Sequence, residues 1–445
     1  ETIGSLTGVS GTTVTLGATT LTTGDATTTS YAGVIGGTGG ALSKQGAGTF
    51  TLSGANSYTG GTTIGNGTLA ISGATATAGT NTIAVGGNVL DIINSAVVSN
   101  AVTINGGTIA NSAGAGTLQT GGVTLDGTST LSSLGAAGTG TPGLLVSAAI
   151  TDGGSSFGIT KAGAGMVTLS NANTYDGGTT IGAGTLTISG ATATAGTAAI
   201  DVGANTLVID TGAIVGNTVN IAPGGTIGNT TGLGTLNTSL SLAASGVINL
   251  RSSASDLSTE GLLVSGTIDD GVGVTSVTKL GAGRVYLSSN NSQYSGGTTI
   301  SGGVLQADTL FNGGAQSAIG LPDNSSAKLV LDGGTLRYTG SGESSGRLFE
   351  LTQNGGGIES SGSGALDFNT ASPVVLTGAG PRTFTLGGTF LGVNAFALAI
   401  QDNGADKTSL TVNGPTTWAL NGTNTYTGTT TIGSGAVLSG NFANA

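Results

Sequence analysis

The residues able to do chemistry are few, and the commonest general base is missing: the 445-residue chain contains no His and no Cys. Without His there is no Ser-His-Asp or Cys-His arrangement. Without Cys there are neither disulfides nor thiolate metal sites. Paired carboxylates remain to be considered. Asp269-Asp270 is the one adjacent acidic pair, and Gly271 follows it. It aligns with Asp152-Gly153 one repeat earlier, where a single acid suffices, so turn formation explains it better than catalysis or metal binding. Asp402-Asn403-Gly404 reads the same way. Calcium rolls need an Asp recurring in a Gly-Gly-x-Gly-x-Asp register, and here it never recurs. No catalytic, metal or cofactor residue is therefore assigned.

What does recur is a set of lysines and tyrosines. KQGAGTFTLSGANSYTGGTTIGNGTL begins at Lys44, KAGAGMVTLSNANTYDGGTTIGAGTL at Lys161 and KLGAGRVYLSSNNSQYSGGTTISGGVL at Lys279. A degraded fourth copy runs from Val412. The anchoring tyrosines are Tyr58, Tyr175, Tyr294 and Tyr426, at nearly equal intervals in the first three copies and a longer one before the fourth. Asn stands two residues before the tyrosine at Asn56, Asn173 and Asn424, and Ser292 takes that place in the third copy. The lysines are separated by five or six coils of any stacked fold, ~25 Å at the stacking rise, and cannot converge on one ligand. They are expected to end a strand with the ammonium in water. The tyrosines are expected to pack in corners, the alternative being an exposed row on which sugars could stack.

The elements that must hold these residues are short strands. TLAISG, NTIAVGG and AVTINGGTIANS alternate apolar residues with Thr, Ser or Asn between Gly and Asn punctuation. Period-two alternation of this kind marks half-buried strands. With 87 Gly, only 7% charged and 4% aromatic residues, little is left to build amphipathic helices. Gly lacks the third-position period of collagen, and 37% hydrophobic residues argue against charge-driven disorder. A parallel β-helix, or β-solenoid, fits best: all-β, a single continuous unit over 1–445 with about 20 or more coils, and a rod on the order of 100 Å. The repeat units are anchored at about 44–160, 161–278, 279–411 and 412–445. Inward Leu, Ile, Val and Ala would form apolar ladders, and Gly and Asn would take the corners.

The pattern Lys-x-Gly-Ala-Gly-x-x-x-Leu-Ser-x-x-Asn-x-Tyr-x-Gly-Gly-Thr-Thr-Ile-x-x-Gly-x-Leu, most complete at 161–186, resembles the passenger-associated transport repeat of bacterial autotransporters and related surface proteins. The resemblance implies a right-handed parallel β-helix passenger outside the cell, followed in that family by an outer-membrane barrel. The closing residues Asn441-Phe442-Ala443-Asn444-Ala445 show no series of aromatic-girdled barrel strands. The chain also opens without Met or a signal peptide, as a processed or excised segment would.

Two departures are expected. Pro415 and Trp418 in the fourth copy predict a local irregularity, and Ser341 to Ser372, with Phe349, Phe368 and charges, predicts either a protruding loop or an irregular ordered coil. A net charge of −11 with only 10 Lys and Arg excludes nucleic acid as a partner, and no apolar run is long enough for a membrane helix. The expected function is a secreted or cell-surface bacterial β-solenoid shaft without enzymatic turnover, used in adhesion, matrix or filament formation. End-to-end self-association would place Val437 and Leu438 on Ile3 and Leu6 of the next molecule. A polysaccharide- or receptor-binding adhesin face is the alternative, and a polysaccharide-degrading enzyme the least favoured reading.

Overall fold

The structure is a computed structural model that describes residues 1–119, 121–135, 143–254 and 260–440. The closing residues 441–445, in which barrel strands were sought, lie outside the described residues. Among the described residues there are only strands of two to seven residues and one 3-10 turn, Ser326–Lys328. Ladders between named strands run parallel from start to finish; the exceptions are two isolated antiparallel bridges, Ser292 with Ser317 and Asn403 with Asp406. The fold is a parallel β-solenoid of about 20 coils. Two compact units, Glu1–Val208 and Ile209–Ala445, are each built this way.

In the first unit the stacking is read directly from register. Phe50 lies beside Leu69, Leu69 beside Leu90, Leu90 beside Ile109 and Ile109 beside Leu131, one coil further along the chain at each step. Each of these side chains is at most 1% exposed. The same ladder position therefore carries a large apolar group inward at every coil, each contributing about 1.5–3 kcal/mol by burial. An ordinary coil contributes three strands, as in Ile83–Ala84, Val89–Ile93 and Ala96–Val98, each in a different sheet.

The repeat changes this plan. Residues 53–61 of the first copy contain no strand, and the chain returns at Thr62–Ile64 to the sheet it left at Ala41–Lys44. Two strands and a corner thus replace three strands. Consecutive copies also start on different faces. In the first unit, Ala41–Lys44 lies in one sheet and Thr49–Leu52 in a second; Ile159–Ala162 joins that second sheet, and Met166–Leu169 a third. The second unit shows the same shift. Thr275–Leu280 and Arg284–Leu287 occupy two sheets, and Thr408–Val412 enters the sheet that holds Arg284–Leu287. The separation between copies holds a whole number of coils plus about one face, so each copy is turned by one face from the copy before it within its unit.

At 341–372 the structure takes the second of the two expected alternatives, an ordered coil, and near Pro415 the expected irregularity is absent. Ser341–Ser345, Glu350–Leu351, Gly356–Ser360 and Gly364–Phe368 are paired strands, not a protruding loop. Phe349 and Phe368 are buried with Phe384 and Phe396, with ring centroids 5.4–6.2 Å apart. Of the charged residues near them, Arg347 points inward while Glu359 pairs on the surface with Arg337. The excursion lies at 308–325 instead, where the step between paired residues lengthens, from Thr299 to Val330. Near Pro415 the turn is kept: Gly414 has φ +83°, Thr417–Leu420 is a regular strand, and buried Trp418 donates Nε1 to the Gly387 carbonyl at 3.1 Å.

Candidate functional site

The recurring lysines sit inside the coil corners, contrary to the expectation of solvated heads. Lys44, Lys161 and Lys279 are 1%, 0% and 0% exposed. Lys161 Nζ donates to the carbonyls of Ala162 (3.0 Å), Gly163 (2.7 Å) and Ala183 (2.8 Å). Lys44 meets Gln45, Gly46 and Asn66 at 2.7, 2.8 and 3.0 Å, and Lys279 meets Leu280, Gly281 and Gly302 at 3.0, 2.8 and 2.9 Å. An ammonium has three donors, and all three are used. Two acceptors lie in the lysine's own corner and the third one coil further on, so each lysine ties two coils together. Burial pushes Lys161 and Lys279 down to about 8, and lowers Lys44 as well.

The Lys-x-Gly spacing makes the corner possible. Gly46, Gly163, Gly281 and Gly414 all have φ between +71° and +83°. A Cβ at Gly163 would stand 2.2 Å from the Ser133 carbonyl oxygen of the preceding coil. Only glycine permits both the left-handed turn and that approach.

The strandless side leaves backbone groups without ladder partners, and buried polar backbone must be paired. The repeated asparagine supplies the pairing. Asn56 Oδ1 accepts from Ile35 N–H at 2.8 Å, while its Nδ2 donates to Gly54 O at 3.0 Å and to Thr77 O at 2.6 Å. One amide therefore links three consecutive coils. Asn173 repeats the pattern with Ile150, Asn171 and Thr194. Asn424 accepts from Ile400 N–H at 2.9 Å. Ser292 keeps the acceptor half, taking Ile268 N–H at 3.1 Å.

The tyrosines are buried in these corners, 0% exposed at Tyr58, Tyr175 and Tyr294 and 3% at Tyr426. They form no exposed row. Each hydroxyl is bonded to a threonine four residues on: Thr62, Thr179 and Thr298 at 2.6 Å, and Thr430 at 2.8 Å. Burial raises the first three phenols well above their ordinary value.

The acids of the Asp-Gly segments tie the following coil. Asp270 accepts from Thr275 N–H at 2.8 Å and from Ser295 N–H and Oγ at 2.8 and 2.6 Å. Asp402 accepts from Thr408 N–H, and from Thr427 N–H and Oγ1. Asp152 takes Gly154, Phe157 and Asp176 N–H groups. All three are held below the usual carboxylate value. For Asp152 the Asp176 N–H is the leading cause; for Asp270 and Asp402 burial pushes upward and the hydrogen bonds outweigh it.

Two buried cations were missed in the sequence. Arg347 Nε donates to the Leu310 carbonyl at 2.9 Å and fixes the excursion at 308–325, with Glu343 accepting from the N–H groups of Leu310 and Phe311. Arg382 holds the carbonyls of Leu351, Thr377 and Gly378 at 3.1, 2.7 and 2.9 Å. Neither recurs at a repeat position, so only their closeness to glycines could have marked them. Five of the ten cationic side chains are thus buried on carbonyl groups. At the segment ends, Ile3 and Val437 are exposed, while Leu6 and Leu438 are half-buried. Among the described residues no group of three acids could hold a metal ion.

The comparisons with known proteins agree with this architecture. The family model for the passenger-associated transport repeat matches residues 42–71, 159–188, 277–307 and 410–439, the four segments that carry the buried corner tyrosines. The chain is 35% identical over 439 residues to the adhesin BmaC autotransporter of Brucella suis biovar 1 (strain 1330). That alignment covers 94% of this chain and 12% of the relative, so the chain spans about an eighth of the relative's length. No solved structure matches it.

Proposed function

From the premise that this chain is an autotransporter-type passenger β-helix with passenger-associated transport repeats, working outside the bacterial cell, we propose that it is a structural segment of an adhesive surface and turns over no substrate. The observation that carries this reading is the use made of the repeated polar residues. Lys161, Asn173, Tyr175 and their equivalents direct their hydrogen bonds to neighbouring coils and corners, not to an open site. Similarity to an adhesin passenger supports the same role. Beads coated with the purified chain are expected to adhere to host-cell monolayers above the level of beads carrying an unrelated β-solenoid. Equal retention of the two would count against an adhesive role.

A finer part of the proposal concerns assembly. A segment bounded as this one is would offer exposed Ile3 and Val437, with Leu6 and Leu438 beside them, for head-to-tail stacking into filaments or matrix. Sedimentation at rising concentration is expected to show linear oligomers that Val437→Glu shortens. A monomer at all concentrations would remove this part and leave the display role standing. A polysaccharide or a host surface is the external partner envisaged.

A further inference from the structure

On the second unit one outward column differs from the Thr, Ser and Gly usual on this protein. In successive coils Tyr286 lies beside Gln306, Gln306 beside Arg337, Arg337 beside Glu359 and Glu359 beside Gly387. Stacking places neighbours ~4.8 Å apart. Four long, mostly planar side chains then give way to a residue without one, and the step opens a groove of about 600 Å³. Gly387, Gly388 and Gly414 are among its lining residues, together with Glu359, Asn413 and Pro415.

The polar groups are already held in place. Arg337 Nε donates to Glu359 Oε2 at 2.7 Å, and Arg284 Nη1 to Gln306 Oε1 at 3.2 Å. Gln306 Nε2 donates to Thr339 Oγ1 at 3.2 Å, while Asp308 accepts from Thr339 at 2.6 Å and from the Tyr286 hydroxyl. Fixing these side chains beforehand lowers the entropy cost of binding. Tyr286 is only half-buried, unlike the corner tyrosines.

The geometry points to a binding groove for a neutral oligosaccharide. Guanidinium, carboxylate and amide planes offer hydrogen-bond donors and acceptors side by side along an open, shallow groove, the chemistry that sugar hydroxyls pair with. Two guanidinium groups, Arg284 and Arg337, and one carboxylate, Glu359, line the groove, and the Asp308 carboxylate lies behind it on the Thr339 hydroxyl, so the four charges balance locally. Phosphate backbones are disfavoured by those carboxylates and by the −11 of the whole chain. Pro415 is the one apolar side chain among the lining residues, too little to seat a hydrophobic peptide. This inference supplies a ligand class for the adhesive reading, but the display role does not need it.

The test is isothermal titration of the whole chain with neutral hexose and N-acetylhexosamine tetrasaccharides and with uronic-acid tetrasaccharides of equal length. A Cβ at Gly387 meets nothing closer than 3.4 Å, so Gly387→Phe fills the groove with the fold intact. Saturable binding of a neutral tetrasaccharide is expected, weakened at least tenfold by Gly387→Phe and unchanged by Thr63→Phe on the first unit. Should Gly387→Phe fail to fold, the Arg337→Gln/Glu359→Gln pair, both half-exposed, is expected to give the same loss. No neutral binding, binding of uronates alone, or full affinity in the groove variants would overturn the inference. Bead adhesion that survives Gly387→Phe would overturn the groove as the adhesive site while leaving the display proposal intact.

Discussion

At the scale of single residues, the recurring corner residues are charged or polar groups placed where they must be fully bonded to be tolerated. Lys161 takes an ammonium out of water and returns three charge-assisted hydrogen bonds to carbonyls of two coils. Lys161→Met keeps the stem and removes the donors, and is expected to cost roughly 2–5 kcal/mol, measured by denaturant unfolding. A loss below ~1 kcal/mol would mean the cage contributes little. The carboxylates give a pH signature. Asp270 and Asp402 have folded pKa values below the 3.8 of a free carboxyl, so the unfolded chain binds protons first as pH falls. Their contribution is complete above about pH 3.8 and is lost as pH drops through the folded values. Melting temperature is therefore expected to fall in that acid window and to do so less steeply in the Asp270→Asn/Asp402→Asn variant. The recurrence of Lys, Asn, Tyr and Asp and the corner packing of the tyrosines were legible in the sequence; the inward direction of the lysines was not. Lysine at a strand end normally faces water, and the Gly-x-Gly that follows gives no sign of which way its carbonyls point.

At the scale of elements, strand positions followed from alternation because the pleat sends every second residue inward. The stretch at 341–372 stayed open between a loop and an ordered coil in the sequence because its charges and aromatics break the alternation, and the structure shows the coil. There the interior is filled by Phe349, Phe368, Phe384 and Phe396, whose rings touch one another. Phe349→Ala is expected to destabilise by about 3–5 kcal/mol, whereas Phe311→Ala, at 41% exposure in the excursion, is expected to cost under ~1 kcal/mol. Comparable losses from the two would contradict the placement of the aromatic cluster. The excursion itself had no sequence signal beyond the longer interval from Tyr294 to Tyr426, and that interval did not say where the extra residues lie. The one-face turn between copies was equally hidden, since it depends on coil lengths that vary along the chain.

For the whole molecule, the claim that organises the rest is that parallel coils are stacked in register and tied, at the first three transport repeats, by a buried lysine. Amine labelling under native conditions, followed by mass spectrometry, tests it most directly, because the chain has five lysines in two environments. Lys328 and Lys407 are expected to be modified quickly. Lys44, Lys161 and Lys279 are expected to stay unmodified until denaturant opens the coils. Labelling of Lys161 and Lys279 in the native protein at the rate of Lys407 would contradict the account.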